Sequence, residues 1–544
     1  VAQKQQELRC PKCQGKLQRK KGKYGFFLGC ENYPRCRAYV PLQAKESVEE
    51  KAFVASPYQQ AIFDWAEKGQ GHAVVEAVAG SGKTTTLVQL MRRLQEGKDV
   101  LFCAFNKHIA TELSNRIPRG MQAATLHSIG WAGIRNWNPN VMLNPDKLGI
   151  IVQQNLETLE FPELKDKMRS DKTFEKMMAV ARSALERIVS LVKSTMTNPA
   201  DKAAVAQLVS TYQIEINGGF DLLFPRIEAI LNDCKNDANV VDYDDMIWFP
   251  LVHPIPLRQY DWVLVDESQD LNRAQQELVH LLLRKNSRAV FVGDRRQAIY
   301  GFRGADTESM ARLERRYNAK VLPLSVCYRC PTLHIEQAKE IVPQIEASPS
   351  AQRGLLTECF IDELSGRVEK GDLAVCRYNA PLVSPVMELI KNRIKAVIRG
   401  RDIGAGLLTL LKRLGANGIS DLRLKLEDYV AKEIVKLAKK GRSVDQIQDK
   451  ADTILALSAG CQTIAELVSV ITEVFSDSTE AVVFSSIHKA KGLEADRVFF
   501  LLPDRCISKK AVTQQQQEQE RNLKYVALTR AKTELVFAYQ RQAE

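Results

Sequence analysis

Long apolar runs are missing from this 544-residue sequence. No stretch approaches the roughly 18 uninterrupted apolar residues of a membrane span, so no helical membrane anchor is expected. No secretion signal opens the chain, and eight of the 12 cysteines (positions 103, 234, 327, 330, 359, 376, 461 and 506) stand scattered in apolar or strand-like surroundings. That pattern excludes a disulfide-stapled secreted scaffold. It predicts reduced core thiols and a cytoplasmic protein, nucleoid-associated if the source is prokaryotic. No internal repeat of fixed period appears, and no nuclease constellation stands out.

What is present is an ordinary globular composition on a chain too long for one core, so three or more structural units are expected. The 77 Lys+Arg exceed the 65 Asp+Glu by 12, a weak pointer to a polyanionic partner. Their distribution says more. Lys4, Arg9, Lys12, Lys16, Arg19, Lys20, Lys21 and Lys23 crowd the first 25 residues against Glu7 alone, which reads either as a solvated tail or as a phosphate-facing surface. Residues 41–56 are polar and read as a linker. Strand-like "HAVVEAV" and "DVLFCAF" then alternate with helical segments, the order of a parallel α/β sheet. Residues of about 140–240 read as a helical insertion. Strands return at "YDWVLVDE" and "RAVFVGD", and again at "GDLAVCRYN", "EAVVFSSI", "DRVFFLL" and "TELVFAYQ", which predicts a second α/β domain. A smaller helical insertion is expected at about 403–475, and "TQQQQEQE" reads as the lead-in to a helix.

"AVAGSGKTTT" follows a strand and should open a helix, the setting of a phosphate-binding loop. In such a loop Gly80, Ser81 and Gly82 bring backbone N–H groups to the phosphates, Lys83 reaches the β and γ phosphates, and Thr84, followed by Thr85, offers a hydroxyl to Mg²⁺. Ala77 stands where the pattern has its first glycine. "WVLVDESQD" ends an apolar strand in two carboxylates: Asp266 for the metal, Glu267 as general base on a water.

Read with "VGDRRQAIYGFRGA", "CYRCP", "SIHKAKGLE" and "ERNLKYVALTRA", these segments resemble the ordered motif set of UvrD/Rep-type helicases of superfamily 1, from about Ser56 to the C-terminus. The resemblance implies an α/β fold of two RecA-like P-loop domains with helical insertions (57–324 and 325–544), preceded by a small zinc ribbon (1–40). It implies ATP held with Mg²⁺ between the two domains. Gln59, or its neighbour Gln60, would read the adenine edge and Tyr328 would stack on the base. Glu494 would hold the ribose, Gln297 would sense the γ-phosphate, and Arg329 and Arg530 would reach it. Phe105, Asn106, Thr125, His127, Tyr300, Phe302, Arg303 and His488 match single-strand contacts, although an aromatic beside a strand is more often core. Phe302 replaces the tryptophan usual in its motif, "FNKHIATEL" is one residue longer than the common form, and Cys330 stands where serine is usual. Cys327-x2-Cys330 has no second pair nearby and reads as structural. Only 329–488 separates the tyrosine-arginine and histidine motifs, so the large regulatory subdomain of bigger relatives is expected to be reduced or missing.

Cys10-x2-Cys13, sixteen residues, then Cys30-x5-Cys36 supply four thiolates as two pairs, the ligand set of structural Zn²⁺. The segment resembles the zinc ribbons of type IA topoisomerases, which implies single-strand binding by its lysines and by Tyr24, Phe26, Phe27 and Tyr33. A purely structural ribbon or a protein-docking knob is the alternative. The resemblance as a whole implies an ATP-dependent helicase on single-stranded and tailed duplex DNA, moving 3′ to 5′. A protein-displacing translocase, a nucleotide-switched adaptor and an RNA motor remain alternatives.

Overall fold

The computed structural model describes residues 10, 12–13, 15–22, 25–32, 35–36, 39–41, 53–157, 172–212, 214–216, 219–299, 308–438, 445–475, 481–508 and 514–541. The chain divides into two compact units, Val1–Ala55 and Ser56–Glu544. The first is an antiparallel meander of β1 (Leu17–Gly22), β2 (Gly25–Cys30) and β3 (Tyr39–Pro41). Tyr24, Tyr33 and the side chains of Phe26 and Phe27 lie outside the described residues.

In the larger unit the first sheet grows from α1 (Pro57–Lys68), β4 (Ala73–Ala77), α2 (Lys83–Met91), β5 (Val100–Cys103), α3 (Lys107–Ser114), β6 (Gln122–Ala124) and α4 (Leu126–Trp137). A short bridge of β7 (Met142–Leu143) with β8 (Val240–Val241) brackets the helical insertion: α5 (Lys147–Glu157), α6 (Lys172–Thr195), α7 (Lys202–Thr211) and α8 (Phe220–Asn236). The sheet resumes through α9 (Asp245–Val252), β9 (Tyr260–Val265), α10 (Arg273–Leu281), β10 (Leu283–Gly293), α11 (Ser309–Tyr317) and β11 (Lys320–Leu324). Its order is β11-β4-β10-β9-β5-β6, all parallel. Such a sheet is covered by helices on both faces, so its central strands must be apolar throughout; Val263, Leu264, Val290 and Phe291 are fully buried. Helix starts are set locally. Ser56 caps α1 in a reciprocal box with Gln59, with Pro57 at the first helical position, and Thr125 caps α4 in the same way with Ser128.

The chain then crosses to a second parallel sheet through β12 (Val326–Cys327), α12 (Thr332–Lys339), β13 (Glu346–Ala347) and β14 (Leu355–Phe360). It continues with β15 (Leu373–Cys376), α13 (Ala380–Lys391), β16 (Ala396–Ile398), α14 (Arg401–Leu414), α15 (Ile419–Ala438), α16 (Asp445–Ser458) and α17 (Ile464–Val474). β17 (Val482–Ser486), α18 (Ile487–Ala490), β18 (Ala495–Leu501), α19 (Gln514–Leu528) and β19 (Ala531–Tyr539) complete it. The strand order is β14-β19-β18-β15-β17-β16. Leu407, Leu422, Ile454 and Ile471 of the four inserted helices share one core with Ala374 and Phe484 of the sheet. The interval therefore thickens the second domain; among the described residues it builds no separate body.

Candidate nucleotide cleft and nucleic-acid track

Parallel sheets gather ligands at the carboxyl ends of their strands, and β4, β9 and β10 all end at one place. After β4 the chain turns into α2 through Gly80 and Gly82, whose φ angles of +66° and +74° favour glycine. A Cβ on Gly80 would lie 2.7 Å from Arg329 Cβ and 2.8 Å from Cys327 Sγ, so the segment after β11 also needs a glycine there. Ala77 is the last residue of β4 and not among those with positive φ, so the missing first glycine costs no strain. Thr84 Oγ1 donates to Asp266 Oδ2 at 2.6 Å, and Lys83 Nζ lies 3.5 Å from Glu267 Oε1. Ser81 Oγ is buried with no hydrogen-bond partner in the protein. An oxygen pair beside a glycine turn with an orphaned hydroxyl fits a phosphate chain and Mg²⁺, which takes few protein oxygens and keeps the rest for phosphate and water. Thr84 and Asp266 would hold the ion, which would neutralise charge on the phosphates.

Glu267 adopts φ +52°, a left-handed conformation unusual for a glutamate and kept at sites where geometry is imposed. Its carboxylate accepts from Gln269 Nε2 at 2.5 Å, Gln269 Oε1 accepts from Asp294 N at 3.0 Å, and Gln297 Nε2 donates to Asp294 Oδ2 at 2.9 Å. Burial pushes the Glu267 carboxyl up, but Lys83, Lys491 and the Gln269 amide outweigh it and hold it at about 2. Burial, joined by the Glu267 charge, pushes Asp266 up to about 6. The pair is thus split into a firmly ionised carboxylate, Glu267, and one, Asp266, that a metal would ionise.

The second domain closes the cleft. Tyr328 N donates to the Gly80 carbonyl at 2.9 Å while its ring stays 46% exposed, and its hydroxyl lies 3.4 Å from Gln59 Oε1. Gln59 Nε2 reaches Thr86 Oγ1 at 2.9 Å, whereas Gln60 turns to Asp64; of the two glutamines, Gln59 faces the phosphate loop. Thr85 sits in the first turn of α2. Arg329 pairs with Glu494 at 2.7 Å, and Lys532 reaches the other oxygen of that carboxylate at 2.7 Å. Arg530 is buried and bonded within its own domain, to the carbonyls of Val526 and Leu493 and to Thr529 Oγ1. Burial and the neighbouring Arg329 lower it to about 10, so it stays cationic at neutral pH. Cys327 and Cys330 are buried free thiols packed with Val78, Ala79 and Tyr525.

Two contacts across the cleft escaped the sequence reading. Lys491 Nζ bridges Asp270 Oδ2 at 2.6 Å and the Gln297 carbonyl at 2.7 Å. Tyr525 OH accepts from Ala79 N at 2.8 Å. Both sit inside quoted motifs, so position alone flagged them, yet only coordinates reveal partners 194 and 446 residues away.

Beside the cleft, Phe105 and Asn106 follow β5 and Thr125 and His127 follow β6, a neighbouring pair of strands. Phe105 is 54% exposed, and His127 is exposed. Asn106 and Thr125 cap α3 and α4, so both have structural work as well. His488 is half-buried in α18. Tyr300, Phe302 and Arg303 lie outside the described residues. A further exposed aromatic, Tyr243 (55% exposed), stands in "DYDDM", outside every quoted motif.

In the smaller unit the sulfurs of Cys10, Cys13, Cys30 and Cys36 all lie within 4.8 Å of one another, with Cys10–Cys36 at 3.7 Å and Cys13–Cys30 at 3.3 Å. Tetrahedral Zn–S bonds of about 2.3 Å place sulfurs about 3.8 Å apart, so the cluster fits zinc.

Residues 58–318 match the family model of the UvrD/REP helicase N-terminal domain and 408–542 that of the UvrD-like helicase C-terminal domain. Residues 7–45 match the topoisomerase DNA binding C4 zinc finger. Tyr328 and Arg329 fall between the two helicase matches, so they rest on motif and geometry. The chain is similar to the ATP-dependent DNA helicase PcrA of Staphylococcus aureus (strain Mu50 / ATCC 700699), 28% identical over 307 residues, 50% of this chain and 38% of the relative. It is also 28% identical over 301 residues to PcrA of Staphylococcus epidermidis (strain ATCC 12228 / FDA PCI 1200), again covering 50% and 38%. The aligned stretch thus spans less than half of either relative. No helix among the described residues is long and apolar enough to cross a membrane.

Proposed function

The chain belongs to the UvrD/REP helicase family, and from that premise we propose that it is an ATP- and Mg²⁺-dependent motor that tracks 3′ to 5′ along single-stranded DNA and opens tailed duplexes. The observation that carries this reading is a cleft that residues of both domains line. Lys83, Thr84, Asp266, Glu267 and Gln297 come from the first, and Tyr328, Arg329, Lys491 and Arg530 from the second. In this reading Glu267 orients and deprotonates the attacking water, Lys83 and the two arginines meet the charge developing on the phosphoryl group, and Gln59 and Tyr328 hold the base. Glu494, which pairs with Arg329 and Lys532, holds the ribose in this reading. Cations meet the phosphates only when the domains approach, so hydrolysis and release alter the domain spacing. The track of Phe105, Asn106, Thr125, His127, Tyr243, Tyr300, Phe302, Arg303 and His488 converts that change into steps along a strand. Opening DNA works against about 1.4 kcal/mol of stacking per base-pair step, which is why hydrolysis must be coupled to it.

The zinc ribbon acts as a second, tethered grip on DNA, raising the local strand concentration at the motor; a purely structural ribbon or a protein-docking knob is the alternative. Strand separation on 3′-tailed, 5′-tailed and blunt duplexes, with Glu267→Gln as control, tests the whole reading. Opening of the 3′-tailed duplex alone, abolished in the variant, is expected. DNA-stimulated hydrolysis with no duplex opened would favour the protein-displacing translocase.

A further inference from the structure

Four charged side chains lie buried where the helical insertion meets α9 and have no part in the nucleotide cleft. Lys147 on α5, Lys193 on α6, and Asp242 and Asp245 at the start of α9 are each no more than 5% exposed. Lys147 Nζ donates to Asp245 Oδ2 at 2.8 Å and to the carbonyls of Cys234 and Asp237 at 2.8 and 3.1 Å. Lys193 Nζ lies 2.8 Å from Asp245 Oδ1 and 3.6 Å from Asp242 Oδ2. The ammonium groups also face rings, Lys147 at 4.6 Å from the centroid of Phe249 and Lys193 at 5.2 Å from that of Trp248. The aspartates brace each other, with Asp245 N donating to Asp242 Oδ1 at 2.8 Å and Asp242 N to Asp245 Oδ2 at 3.3 Å.

Burying charges costs several kcal/mol per ion, and well-packed apolar residues often hold a core equally well. What an ion cluster adds is a fixed register for the backbone that carries it. Here that backbone is Asp242–Asp245. Its outer residues turn into the cluster and its inner two turn away: Tyr243 is 55% exposed, and Asp244 accepts from Ser190 Oγ at 2.6 Å. Burial lowers the proton affinity of His127, and the nearby Asp244 carboxylate offsets part of that. α4 and α9 start side by side, since a Cβ on Gly130, one turn past His127, would lie 1.8 Å from the Met246 carbonyl oxygen. Tyr243 and Asp244 are thereby held next to the first turn of α4.

We infer that Lys147 and Lys193 are positioning residues for single-strand binding: from inside the insertion they fix Tyr243 and Asp244 beside Thr125 and His127 before DNA arrives. The inference rests on the nucleic-acid track proposed above. It gives the helical insertion a role in motor function without any contact of its own with DNA.

The test is the oligo-dT concentration that half-maximally stimulates ATP hydrolysis by the full chain. Lys193→Met combined with Asp242→Asn removes one charge of each sign, and the amide oxygen at position 242 can still accept from Asp245 N. Half-stimulation is expected to need about tenfold more oligo-dT, the scale of one lost base–aromatic stack, with the DNA-free and DNA-saturated rates unchanged. Tyr243→Ala, measured alongside, separates the two layers of the argument. If Tyr243→Ala weakens stimulation and the charge-balanced pair does not, the positioning role is wrong and the track survives. If Tyr243→Ala changes nothing, this segment is not on the track and the inference falls with it. Should the paired variant not fold, hydrogen exchange on the unaltered protein decides. Amides 242–245 protected before DNA is added support positioning, and exchange there at the rate of an open loop overturns it.

Discussion

Tyr525 and Ala79 are 446 residues apart and share a 2.8 Å hydrogen bond between the second domain and the phosphate loop. Removing the hydroxyl leaves a buried backbone N–H without an acceptor, a cost of about 1–3 kcal/mol. Because the bond fixes the loop that must hold the phosphates, that cost should appear in nucleotide binding. Tyr525→Phe is expected to raise KM for ATP about tenfold while kcat at saturating ATP changes little. A fall in kcat with KM unchanged would mean that the tyrosine acts on the chemical step instead. Residue identities in this region were readable from sequence where the chemistry fixes their spacing, as in "GSGKT" and "VDESQD". The partners of Lys491 and Tyr525 were not, because no local pattern encodes a contact between segments that meet only when two sheets pack.

Among elements, Asp266, Asp270 and Asp294 crowd the carboxyl ends of β9 and β10. Each is pushed up to about 6, chiefly by burial. In an unfolded chain such a carboxyl titrates near about 4. Between pH about 6 and about 4 the folded protein keeps protons that the unfolded chain has lost, so these groups favour folding as pH falls and oppose it as pH rises through about 6. The melting temperature of the unaltered, nucleotide-free protein, taken relative to Asp294→Asn, should therefore climb between about pH 7.5 and about pH 5. A constant difference would show that Asp294 is not perturbed. The eight strands readable in the sequence include every interior strand of both sheets, since burial on two faces demands an apolar run. The four main-sheet strands it did not reveal, β6, β11, β14 and β16, are the four sheet edges. β6 and β16 span three residues each, β11 carries Pro323, and β14 buries only Cys359 with no regular alternation, so none shows the pattern that identifies a strand.

At the scale of the whole molecule, the proposed reading gives strand phosphates to the ribbon and ATP to the motor. Removing residues 1–55 should weaken single-strand binding and flatten its salt dependence by about 0.7 per lost phosphate contact. The ATPase maximum at saturating DNA should remain; a large loss of that maximum would mean that the ribbon takes part in the cycle itself. In the proposed cycle, strand binding drives a cleft closed by both domains. Its most direct test is the rate of ATP hydrolysis with and without oligo-dT, for the unaltered chain and for Glu267→Gln. Hydrolysis is expected to rise with oligo-dT and to fall by about a hundredfold or more in the variant, as loss of a general base requires, while ATP still binds. A rate indifferent to DNA, or one that survives Glu267→Gln, would contradict this cycle.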